Sequence, residues 1–162
     1  VLSPGTPLAA LEALPLAVAM RHSLWMYPIV EIIHILGFVL LAGSVAMLDL
    51  RVLGLSKSIP VRALARHILP WTLGALLLIV PSGLLMFIAH AGDFISNTAF
   101  ITKMILLSLA ACNALWFHMG PYQGVDGWQT GNSAPLAARA SAALSLLLWV
   151  GVICCGRLLA YV

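Results

Sequence analysis

Hydropathy along the chain rises and falls four times, and each rise is long. Apolar residues run with few interruptions from Trp25 to about Leu53, from about Pro60 or His67 to Ala91, from about Phe100 to Met119 and from about Leu136 to Tyr161. Each run reaches the ~20 residues an α-helix needs to cross the hydrocarbon core of a bilayer. Lipid offers the backbone no hydrogen bonds, so the spans must satisfy their own amides as helices. The pattern therefore predicts an all-α membrane protein, a four-transmembrane-helix bundle over residues 25–162. Residues 1–24 differ. Pro4, Pro7 and Pro15 break them up, Leu8, Leu11 and Leu14 recur at helical spacing, and Arg21 and His22 close the segment. A signal peptide would carry its basic residues ahead of the apolar stretch, so an N-terminal interfacial helix is expected instead.

The boundaries have local causes. Trp25 and Tyr27 suit the headgroup layer, and Pro28 suits the first turn of the first span. Pro70 and Pro81 fall inside the second span, which predicts a kinked helix. Asn97 and Thr98 read as the capping region of the third. Gly120, Pro121, Gly124, Gly127, Gly131 and Pro135 mark a turn-rich connection before the fourth.

Composition turns this pattern into a class. Hydrophobic residues make up 62% of the 162 and charged ones 8%, with a mean hydropathy of +1.08. That leaves too little polar surface for a water-soluble globule. The net charge of +3 and pI near 9.0 do not indicate nucleic acid, because the basic residues are scattered rather than gathered into a face. They speak to topology. Arg51, Lys57, Arg62 and Arg66 crowd the connection after the first span, whereas the next one carries Asp93 and no basic residue. By the positive-inside rule the 51–66 loop is expected in the cytoplasm and both termini outside. Cys112, Cys154 and Cys155 lie within spans and form no CxxC pair, so they are expected to be small buried apolar residues.

Histidines are the main chemical signal. His34, His67, His90 and His118 lie in or at the ends of the spans, where each imidazole needs a polar partner, a water-filled cavity or a metal. The expected topology sorts them into two layers, with His34 and His90 towards the outside and His67 and His118 towards the inside. Two pairs at two depths would suit one or two b-type haems held by bis-histidine ligation. Gly37, Gly43, Ser44, Gly74 and Gly83 would let helices stand close to a flat macrocycle. Arg157, Arg66 and Arg139 would pair with its propionates. Against this, His67 and His90 are separated by roughly 34 Å along one helix and point roughly 140° apart on it.

Other polar residues carry smaller expectations. Glu31 and His34 have the Glu-x-x-His spacing of di-iron bundles, but no second copy exists, so Glu31 is read as accepting a proton from an imidazole. Asp49 and Arg51 are expected to form an ion pair or cap, Asn113 to hydrogen-bond across helices and Lys103 to snorkel. The methionines are too dispersed for a copper relay.

The run Trp25-Met26-Tyr27-Pro28-Ile29-Val30-Glu31-Ile32-Ile33-His34-Ile35-Leu36-Gly37 is joined by Asp49-Leu50-Arg51, Leu69-Pro70-Trp71, Ser82-Gly83-Leu84 and Asn113-Ala114-Leu115 before Phe117 and His118. Together they resemble an uncharacterised family of small bacterial four-helix membrane proteins. That resemblance implies the fold, a multi-pass protein of the bacterial inner membrane and an interest in Glu31, His34 and His118. The plan is also loosely similar to four-helix haem modules of cytochrome b type. It implies an electron-transfer subunit with haem b on His34, His90, His67 and His118, carrying electrons between a partner protein and quinone or another carrier. Two alternatives stand beside it: a cofactor-free membrane anchor or accessory subunit of a larger complex, and a metal-ion handling membrane protein. A redox subunit can belong to an enzyme complex without a substrate site of its own, so the pattern leaves catalysis open.

Overall fold

The computed structural model describes residues 6–159 and Tyr161. The first five residues of the expected interfacial segment, and residues 160 and 162, lie outside it. Four helices are long and apolar enough to cross a membrane: α3 (Met26–Leu53), α4 (Val61–Ala89), α6 (Thr98–Met119) and α7 (Leu136–Leu158). Two short helices, α1 (Pro7–Glu12) and α2 (Pro15–His22), precede them, and α5 (Ala91–Ser96) follows α4. A 3-10 segment, Pro121–Trp128, lies in the glycine-rich connection.

Side-chain and backbone chemistry sets these ends. Asn97 Oδ1 accepts the amides of Ala99 and Phe100, at 2.9 and 3.1 Å, and so starts α6. Gly54, at φ +117°, ends α3. Its N–H donates to Arg51 O and that of Leu55 to Leu50 O, the paired bonds of a Schellman stop that needs a left-handed residue. Pro70 and Pro81 sit inside α4 without ending it.

Helices α3 and α4 share the most extensive interface, α7 packs on the other flank of α3, and α6 packs on α7. The order across the domain is thus α4, α3, α7, α6, and the backbones of α4 and α6 make next to no contact. Buried apolar residues gather at the two ends. Val52, Val61, Phe117, Val125, Trp128, Ala134, Ala138 and Ala142 fill the end that bears the basic connection. Met20, Val30 and Ala89 fill the opposite, N-terminal end. Between them large apolar side chains such as Leu77 and Leu147 face outward, 76% and 70% exposed, as lipid-facing residues do.

The N-terminal segment forms two helices where one was expected, because Pro15 begins a second at its N1 position. Both are docked. Ala17 and Met20 are fully buried, Arg21 donates to Ala89 O and Glu12 O, and Glu12 Oε1 accepts the Gly92 amide at 2.8 Å.

Candidate functional site

His34 is the polar centre of the N-terminal half of the domain. Its Nδ1 lies 3.2 Å from Ile79 O and 3.0 Å from Ser82 Oγ, both on α4. A carbonyl only accepts, so Nδ1 carries the proton and Nε2 keeps its lone pair. Ser82 agrees with that assignment: its hydroxyl donates to Leu78 O at 2.5 Å, which leaves its oxygen free to accept from the ring. Gly83 makes room for the imidazole, since a Cβ there would stand 3.1 Å from His34 Cε1.

Two further helices add polar groups. The Lys103 side chain of α6 is partly buried and within electrostatic range of His34, and Cys155 of α7 is buried. A Cβ on Gly156 would lie 4.0 Å from Lys103 Nζ. Of these side chains only Ser82 hydrogen-bonds His34; Lys103 and Cys155 stand on the other two membrane-spanning helices. Phe87, Phe94 and Phe100 lie above them towards the N-terminal end. Their rings, from α4, α5 and α6, contact one another at centroid separations of 5.0 to 6.4 Å.

The other expected histidines are placed elsewhere. His90 caps α4, with its ring edge-on to Tyr27 at 5.5 Å and Nδ1 3.6 Å from Asp93 Oδ2. Tyr27 lies about two helical turns from His34, so His34 and His90 are not brought together. His67 is exposed on an open groove beside Arg66 and Gly74. His118 is exposed, with Nδ1 2.8 Å from Ala114 O and its ring beside Phe117 and Tyr122. No cluster of three or more His, Cys, Asp or Glu that could hold a metal ion occurs among the described residues.

The fit of a porphyrin follows from these positions. The α3–α4 seam is closed: a Cβ on Gly37 would meet Ile79 and Leu78 at 3.0 Å and Ala75 O at 3.2 Å. Gly37 thus serves close helix packing and leaves no space for a macrocycle in that seam. Two bis-histidine sites do not fit this arrangement. His34 Nε2 makes no hydrogen bond among the described residues, and a ligand on it would have to lie outside the closed seam. Ligating histidines commonly donate their other N–H to a carbonyl in this way.

Several smaller expectations are corrected. Asp49 and Arg51 form no ion pair, because residues two apart on a helix point to different sides. Asp49 Oδ2 is buried with no hydrogen-bond partner among the described residues, and Arg51 donates to Ile59 O, Lys57 O and Gln129 O. Glu31 is exposed, and the partners of His34 lie on α4 rather than one turn back along α3. Arg157 bonds Tyr161 Oη and covers its ring. Cys112 and Cys154 are exposed and only Cys155 is buried. Asn113 does bond across helices, to the Ser141 carbonyl and hydroxyl, both at 3.0 Å.

Sequence reasoning passed over Ser82, Lys103 and the phenylalanine trio as site components. Lys103 carried a usable signal, a lone cation within an apolar span. A family model described as a family of unknown function (DUF6644) matches residues 26–162. Searches of curated proteins and of solved structures return no match.

Proposed function

The chain belongs to that family of unknown function, and we propose that it is a membrane redox subunit carrying a single b-type haem on His34, passing electrons between a partner protein and quinone or another carrier. The observation that supports this reading is the fixed His34 tautomer, with Nδ1–H held by α4 and Nε2 unengaged in an apolar domain. When bound, the haem supplies a one-electron couple. The protein supplies the rest. Ser82 and the Ile79 carbonyl hold the ring orientation, and the Lys103 ammonium favours the more negative, reduced state of any centre beside it. A single centre is proposed in place of two because His67, His90 and His118 lie apart.

A reduced-minus-oxidised absorption spectrum of the detergent-purified protein tests the proposal. The expected result is a haem b band that His34→Gln abolishes and that His118→Gln leaves in place. Absence of the band from the wild type, with no iron or copper by elemental analysis, overturns the redox reading and favours the accessory subunit. Copper or iron without porphyrin favours metal-ion handling.

A further inference from the structure

An open groove of about 1020 Å³ runs along α4 and is independent of the His34 site. Leu40 of α3 and Trp71, Gly74 and Leu77 of α4 form its apolar part, and Arg66 and His67 stand at its end. Gly74 deepens it, since no atom lies within 4 Å of a Cβ built there. We propose that this groove holds one anionic phospholipid, with its phosphate on Arg66 and His67 and an acyl chain laid over Gly74.

Length argues for a lipid. From His67 to Leu78 the groove follows α4 for ~17 Å, close to half of the ~30 Å hydrocarbon core. It therefore covers one leaflet. A partner helix crossing the bilayer would need a seat about twice as long. Charge argues for an anionic one. Arg62, one turn earlier, is taken by Asp126 at 3.1 Å, but Arg66 and His67 have no hydrogen-bond or ion-pair partner among the described residues. Both sit where the apolar groove reaches the basic end, at headgroup depth. A neutral quinone would gain nothing from that pair of donors beyond a hydrogen bond, whereas a phosphate gains a charge-assisted bond from the guanidinium.

Native mass spectrometry of the whole detergent-purified protein, titrated with phosphatidylglycerol or phosphatidylcholine of matched acyl chains, tests this. One phosphatidylglycerol should be retained in preference to phosphatidylcholine, by about fivefold per cationic side chain. Arg66→Gln with His67→Gln should bring the two lipids level. Arg139→Gln, exposed near the same end but off the groove, should leave the preference intact. Gly74→Leu should displace the lipid while the protein remains monodisperse, and it keeps the test open if the double variant expresses poorly. Equal retention of the two lipids by the wild type, or an equal loss in Arg139→Gln, overturns the proposal. Loss of a haem band in His67→Gln would make the groove a cofactor seat and overturn it too. Absence of haem from the wild type bears on His34 alone.

Discussion

A glycine's value in an apolar helix depends on what faces it, and Gly37 and Gly74 make the contrast. Replacing either by alanine gains helix propensity, ~1 kcal/mol. At Gly74 the new methyl meets nothing, so Gly74→Ala should hold or slightly raise the thermal midpoint in detergent. At Gly37 it would press on Leu78 Cβ and the Ala75 carbonyl, and α4 must shift to admit it. Overpacking of this kind costs about 1–3 kcal/mol, so Gly37→Ala should lower the midpoint. If both variants melt alike, the close approach of α3 and α4 is wrong. The sequence marked both glycines as places where helices can come close. It carried no sign of which one a neighbour fills, because that depends on the rotation of α4 about its axis.

Connections between elements rest on one side chain at the basic end. Arg51 is 3% exposed. Its guanidinium reaches Lys57 O and Ile59 O in the connection after α3, and Gln129 O beyond the 3-10 segment. Two loops far apart in sequence are thereby tied to the end of α3, and Arg62 with Asp126 adds an exposed pair of smaller worth. Hydrogen bonds to a charged donor contribute about 1.5–3 kcal/mol each. Arg51→Met should therefore destabilise the protein by roughly 3 kcal/mol or more and expose both loops to protease, as limited proteolysis in detergent would report. Unchanged cleavage at both loops would show that they are held by other contacts. From sequence, Arg51 was one of four basic residues read for topology, and Asp49 was read as its partner. Helical geometry excludes that pairing, and the three carbonyls that replace it come from loops whose paths no local pattern encodes.

At the level of the whole molecule, the basic 51–66 connection and the acidic Asp93 connection lie at opposite ends of the four-helix domain, which makes orientation testable. With Cys112, Cys154 and Cys155 replaced by serine, Lys57→Cys should resist a membrane-impermeant thiol reagent in intact cells and Asp93→Cys should react. Both outcomes are what the positive-inside rule predicts for the basic loop. The reverse pattern would place both termini in the cytoplasm.

Hydropathy by itself determined the membrane class and the four spans to within a few residues, and the residue types ahead of the third span marked Asn97 as its cap. The class and the spans follow from the bilayer's thickness and from the backbone's need to bond itself within lipid. Which residues meet was decided by tertiary structure: His34 with Ser82 and the Ile79 carbonyl, Gly37 with α4, Arg51 with three loop carbonyls. A helix that is apolar all round has no stripe to fix its rotation. Small residues and a few hydrogen bonds between helices set that angle, and they act only once the helices have found one another.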